Sequence, residues 1–321
     1  MGDRPAAEVQ ITVPLVRRLL LDQCPALAHL DLAEVSEGWD NVMLRLGADL
    51  AVRVPRRQLA AQLVVNEQHW LPTLAASLAT VVDVAVPAPV HRGHPSDYFP
   101  WAWSVVPWFE GTEVGALPIA HRAPLAIDLA RCVRALHRPA PPEAPANPYR
   151  GVPLAHRAAD IDARLCDPAV PRADEARRVW ADALAAPVHE GPAVWLHGDL
   201  HPFNMLARPG VAPPSTQPST RPSGSSQAST PATLCALIDF GDLTSGDPAC
   251  DLATAWLTFD AAGRRAFRAE VERLGAVDAA TWRRARGWAL VMASAMLTHS
   301  DDDPRFAILG ARALTEILDD A

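Results

Sequence analysis

The chain has 321 residues, enough to build two lobes that each bury a core. Hydrophobic residues make up 49% and charged residues 21%, the make-up of an ordinary globular protein, and a formal net charge of −8 argues against a nucleic-acid-binding surface. Five cysteines without a CxxC pair read as reduced thiols, the N-terminal MGDRPAAEVQ lacks a signal-peptide pattern, and no apolar run nears the ~18 residues of a membrane span. These features predict a cytoplasmic protein with no nucleic acid, membrane or obligate protein as partner.

Residues 1–30 read as a helical lead-in that Cys24-Pro25 ends. Residues 34–54 predict three short strands, AEVSEGWDN, VMLRLG and LAVRVP, with turns at Gly38 to Asn41 and at Gly47-Ala48-Asp49. A hairpin bend with Ser36 and Gly38 can aim backbone N–H groups at phosphates, although SEGWDN is no GxGxxG loop. Arg53 lies in the third strand between apolar neighbours. A helix is predicted from Gln58 to about Leu71, where Pro72 interrupts it, and Glu67 is its one acidic residue. Two further strands are predicted at 81–90 and 101–111, joined by the turn-rich HRGHPSDYFP, with Trp101 and Trp103 in the core. A long helix from about 119 to 138, ended by His137, comes next. The connector RPAPPEAPANPYRG and a second helix at about 174–185 follow it.

The centre of the sequence is WLHGDLHPFNML. Asp199 is followed at kinase catalytic-loop spacing by Asn204, an arrangement in which the carboxylate takes the proton of an attacking hydroxyl and the carboxamide holds Mg²⁺. Further on, LIDFGD puts Asp239 behind an apolar strand, where it can hold the same metal. The intervening tract at 207–233 is dominated by Pro, Ser, Thr and Gly. It predicts a disordered extension of the hairpin formed by FNML and LCALIDF. Asp242, Asp247 and Asp251 read as turn and cap residues, with a helix starting near Pro248. Trp282, Ala285, Ala289, Met292 and Met296 follow helical core spacing, the acidic run 298–303 reads as a capping segment, and a last helix spans about 305–318.

HGDLHPFN followed by IDFGDLTSGDPACDLA resembles the aminoglycoside phosphotransferase family of small-molecule kinases. The resemblance implies a two-lobed, protein-kinase-like α+β fold that uses ATP with Mg²⁺. The lobe with a small antiparallel sheet would take residues 1–108, and a mainly helical lobe with the acceptor site 109–321. It implies a phosphate-covering turn at Ser36, Gly38 and Asn41. Arg53 would stand where the family has a phosphate-binding Lys, paired with Glu67, and its planar fork keeps the charge. The Pro107 carbonyl and the Phe109 N–H would meet the adenine. No activation segment or APE motif follows Asp239, and the Arg of an HRD loop is replaced by Gly198, which favours a small-molecule acceptor over a protein.

The sequence therefore predicts ATP-dependent O-phosphorylation of a small molecule, an aminoglycoside or related antibiotic first. Asp199 is the base, Asn204 and Asp239 are the metal ligands. A metabolite kinase of homoserine, choline or fructosamine type is an alternative, and Arg53 leaves open a catalytically impaired nucleotide-binding module. A hydrolytic metal site from His197, Asp199, His201 and Asp239 is a further rival.

Overall fold

The computed structural model describes residues 6–208, 210, 231–300 and 303–320, and for 34–37 the backbone only. Helix α1 (Val13–Gln23) starts on Thr12, whose hydroxyl accepts the Leu15 N–H, and its Val16, Leu19 and Leu20 are buried. It packs on a five-stranded antiparallel sheet made of β1 (Leu32–Glu37), β2 (Asn41–Leu46), β3 (Leu50–Pro55), β4 (His91–Gly93) and β5 (Trp103–Pro107), in the order β1-β2-β3-β5-β4. The strands alternate apolar side chains into this small core, where Trp101 and Trp103 are buried as the sequence implies.

Helix α2 (Gln58–Leu78) lies between this sheet and the rest of the molecule. It does not stop at Pro72, which sits inside it. A proline there removes one backbone hydrogen bond, but Leu71, Leu74 and Leu78 on either side of it are buried in the larger core, and that packing outweighs the lost bond. Ala61, toward the other end of the helix, belongs to the small core. The expected strand at 81–90 is extended chain touching β9 (Thr233–Leu237) at one bridge, Ala85 to Ala236. The strand forms at His91–Gly93 instead, within the segment expected to be a turn, and β5 is confined to Trp103–Pro107. Gln68 anchors β5 from α2 by donating to the Trp103 carbonyl at 2.7 Å.

After β6 (Thr112–Glu113) the chain makes single helical turns before α3 (Ala126–Leu136). The expected helix start near 119 fails because Pro118 and Pro124 break up the backbone bonding. Helices α4 (Ala158–Arg164) and α5 (Ala173–Leu184), strand β7 (Val194–Leu196) and the hairpin β8 (Met205–Arg208) with β9 follow. The strands include Ala207, Arg208 and Thr233, so the predicted tract at 207–233 is ordered at both edges, while 209 and 211–230 lie outside the described residues. Strand β10 (Thr244–Gly246) pairs with β7. The large core is closed by α6 (Ala249–Leu252), α7 (Thr254–Thr258), α8 (Ala261–Leu274), α9 (Ala279–Thr298) and α10 (Pro304–Leu318). On α9, Trp282, Ala285, Ala289, Met292 and Met296 are all buried, as their spacing requires. Asp303 caps α10 through the Arg305 N–H at 3.0 Å. No helix among the described residues is long and apolar enough to cross a membrane.

Candidate active site

Two loops meet where the sheet faces the helices. The first leaves β7 as His197-Gly198-Asp199 and turns through Pro202 to Asn204 before β8; the second leaves β9 as Asp239-Phe240-Gly241-Asp242. They are stitched together at two points: the Ile238 N–H donates to the Asn204 carbonyl at 2.9 Å, and His197 Nε2 reaches the Ile238 carbonyl at 3.0 Å. The His197 ring also packs on Phe240 with centroids 4.4 Å apart. Residues 199, 204 and 239 are therefore carried by two loops bonded to one another.

Asp199 is held from several sides. Its Oδ1 lies 3.0 Å from the Arg150 guanidinium, its Oδ2 lies 3.3 Å from His201 Nε2, and Asn204 Nδ2 donates to its carbonyl at 2.9 Å. Burial alone would raise the carboxyl's pKa, but the His201 and Arg150 charges outweigh it and hold it well below the usual carboxylate range. Asp242 goes the other way. Burial and the nearby Asp199 and Asp239 charges raise it against the pull of Arg150.

The loop owes its shape to a residue that the sequence reading misjudged. Asp251, expected to be a turn or cap residue, is fully buried and accepts the N–H groups of His197 at 2.8 Å and Gly198 at 2.9 Å, with His137 Nε2 at 3.3 Å. Asp247 does cap the following turn through the Ala249 N–H, and it also forms a buried ion pair with Arg284 at 2.6 Å. Gly198 has φ +86, and a Cβ there would fall 2.3 Å from the Asp242 carbonyl oxygen. No side chain fits at that point, which explains why the Arg of an HRD loop cannot stand there.

On the sheet side, the expected pairing of Arg53 with Glu67 is present at 3.1 Å, and the same Nη2 also bridges to Asp239 Oδ1 at 3.0 Å. Asn41, with its amide oriented by this network, accepts from Arg53 Nη2 at 3.1 Å. Asn41 is thereby brought to Arg53, while Gly38 closes the β1–β2 turn by donating its N–H to the Asn41 carbonyl at 2.8 Å and accepting from Arg56. The Ser36 side chain lies outside the described residues. Pro107 ends β5 opposite Leu50, and Phe109 packs with Leu206, Cys235 and Ile238 to form an apolar surface between sheet and helices. The Trp108 N–H is committed to the Asp49 carbonyl at 2.8 Å.

Glu67 is 3% exposed, and among the described residues its Oε1 has no aligned hydrogen-bond donor although the Arg53 charge is close. Burial therefore prevails over Arg53 and pushes its pKa up from 4.5 to about 7. An acid whose pKa is raised on folding binds its proton more tightly in the native state. The stability it contributes is complete below pH 4.5 and is lost as the pH rises to about 7. Glu67→Gln, which stays neutral, should remove this loss, worth about 3 kcal/mol at most. Denaturant titrations of both proteins at the two ends of that range test it; parallel pH dependence would disprove the shift.

The rival reading of a hydrolytic metal centre fails on His197. One ring nitrogen meets the Ile238 carbonyl and the other accepts the Asp199 N–H at 3.3 Å, so neither is left for a metal. Among the described residues no group of three His, Cys, Asp or Glu side chains could hold a metal ion. Asn204 and Asp239 do suit Mg²⁺. Both offer hard oxygen atoms, the Asp239 side chain is 56% exposed, and a two-residue site completed by phosphate oxygens is the usual Mg²⁺ arrangement. Asn204 Nδ2 is taken by Asp199, so Oδ1 is the atom a cation would use.

Sequence reasoning missed Arg150, read Asp242 and Asp251 only as turn and cap residues, and placed His201 only in the rival metal site, whereas its imidazole lies between Asp199 and Asn204. The spacing of His201 from Asp199 was the one available signal. No curated protein matches the sequence. Among solved structures, a GDP and kanamycin complex of APH(2")-IIia is similar over 94% of this chain and 98% of its own, with TM-score 0.64 and 20% identity. The macrolide 2'-phosphotransferase MphH of Brachybacterium faecium, as apoenzyme, is similar over 94% and 97%, with TM-score 0.52 and 18% identity. These likenesses show a two-lobed, protein-kinase-like α+β fold. The model of the phosphotransferase enzyme family matches residues 31–212 and 229–288, so the chain belongs to that family of kinase-type enzymes.

Proposed function

We propose that the protein is an ATP-dependent O-phosphotransferase acting on a hydroxyl of a small molecule, with the nucleotide between a lobe of residues 1–108 and a helical lobe of 109–321. The reading is supported by the joined loops that carry Asp199, Asn204 and Asp239, and by an arginine tied to both Asp239 and Glu67. Asp199 orients the acceptor hydroxyl and takes its proton. Arg53 steadies the nucleotide phosphates, drawn off Asp239 when they arrive. Asn41 and Glu67 keep its guanidinium aimed at the cleft. Asn204 and Asp239 hold Mg²⁺, which when bound offsets the charge on the phosphates. The apolar surface beside Phe109 receives the adenine, with the Pro107 carbonyl and the Phe109 N–H on its edge. Alignment and charge neutralisation are the main levers for a loose phosphoryl transition state.

The aminoglycoside and macrolide relatives define the acceptors to test first, and metabolites with a primary hydroxyl come next. Five free cysteines suit an enzyme working in the cytoplasm. The contact of Arg53 with Asp239 favours one second reading, a module that binds nucleotide without turning it over, because the cation occupies a metal ligand. ATP consumption with an acceptor panel, with and without Mg²⁺, separates the two. Mg²⁺-dependent phosphorylation of one acceptor supports the kinase, and nucleotide binding with no transfer to any acceptor sinks it.

A further inference from the structure

The side chain that cannot exist at position 198 is replaced in space by one from far upstream. Arg150 belongs to the proline-rich connector between α3 and α4, yet its Nη2 lies 3.0 Å from Asp199 Oδ1 and 3.6 Å from Asp242 Oδ2. The connector is pinned on both sides of it without the help of its guanidinium. The Thr244 hydroxyl donates to the Pro145 carbonyl at 2.9 Å, and the Asp247 N–H donates to the Gly151 carbonyl at 2.9 Å. Gly151 has φ +68 and a Cβ there would meet the Leu196 side chain at 2.6 Å, so the chain passes tightly against β7 just where Arg150 must turn inward. Asn147 reaches the same place, donating from Nδ2 to Asp242 Oδ1 at 2.7 Å. Among the described residues the Arg150 Nε has no hydrogen-bond partner, and the head group is held by the two carboxylates.

We propose that Arg150 is a positioning residue for phosphoryl transfer: it holds the Asp199 carboxylate in its working orientation against the like charge of Asp242. The inference rests on the reading of Asp199 as the base. Two carboxylates this close repel, and without a cation between them the freer one swings away. Asp242 keeps its 2.7 Å bond from Asn147, while the Asp199 carboxylate keeps only the longer contacts to His201 at 3.3 Å and Asn204 at 3.5 Å, so Asp199 is the one that moves. A guanidinium suits the task because it stays charged when buried and its rigid planar head sets Nη2 between the two acids, whereas a lysine ammonium is a point charge on a flexible stem. Arg150 touches neither nucleotide phosphate nor metal in this scheme, so its loss should spare nucleotide binding.

The test is steady-state kinetics of the full-length enzyme with its best acceptor. Arg150→Ala is expected to lower kcat about 100-fold, since misplacing a reacting group by about 1 Å costs that much, with the nucleotide KM within about twofold of the parent. Guanidinium chloride at non-denaturing millimolar concentration should restore roughly tenfold of the loss, a recovery that a purely structural role would not show. Arg150→Lys decides the matter if the alanine variant does not fold. It should lose about tenfold in kcat at unchanged nucleotide KM, and wild-type kcat would overturn the proposal. So would an Arg150→Ala kcat within about threefold of the parent, or a loss matched by the nucleotide KM and untouched by guanidinium. An enzyme that needs Asp199 but ignores Arg150 overturns this inference alone; one that does not need Asp199 overturns both.

Discussion

Asp199→Ala is expected to cut phosphate transfer by about three orders of magnitude, the range spanned by loss of a positioned general base. Nucleotide affinity should stay within about threefold, because the contacts that would hold ATP come from Arg53, Asn204 and Asp239. The carboxylate is fixed by His201 and Arg150 and kept ionised by them, so a hydroxyl brought to it finds an acceptor that needs no reorganisation. A coupled assay for ADP release, with nucleotide binding by calorimetry, gives both quantities. Asp199→Asn adds a sterically matched control. Turnover of either variant within tenfold of the parent would remove Asp199 from the chemistry, and the proposed function with it.

The second large effect concerns Asp251. Its removal by Asp251→Ala leaves the N–H groups of His197 and Gly198 buried without acceptors and strips His137, whose Nδ1 has no partner among the described residues, of its contact at Nε2. Burial would raise the pKa of this acid, but the bond and charge of His137, the nearby His197 and the Gly198 amide more than compensate and hold it below the usual range. Breaking such a buried network costs about 3–5 kcal/mol. In a chain of this size that is about a 10 °C fall in Tm. The loop that carries Asp199 should loosen as well, lowering kcat more than the nucleotide KM. Scanning calorimetry and the same kinetic assay check both parts. A variant with parental Tm and parental kcat would show that the amides find other acceptors.

What was legible in the sequence follows from how the site is assembled. Asp199 with Asn204, and Asp239 with Gly241, lie within single loops, so local spacing carries their relation. Arg53 and Glu67 could be paired because few charges compete on that strand and helix, and the structure joins them at 3.1 Å. Arg150 offered no such clue: a connector full of prolines looks like a spacer until its fixed path over β7 is seen. Asp251 was misread because Asp at a helix start usually serves its own helix, whereas here it serves a loop across the core. The elements misjudged at Pro72 and at 81–90 have a common cause. Packing against a large core overrode local propensity in the first, and β9 offered only one bridge to the second.

Helix α2 carries Ala61 in one core and Leu71, Leu74 and Leu78 in the other, with Glu67 between them. It acts as an axle shared by both halves of the molecule. A swing that widened the cleft at the level of Arg53 would have to drag the helix through one of its two greased bearings. On the proposed function, access for the nucleotide would be cheapest by lifting the β1–β2 turn, with the axle and its glutamate standing still.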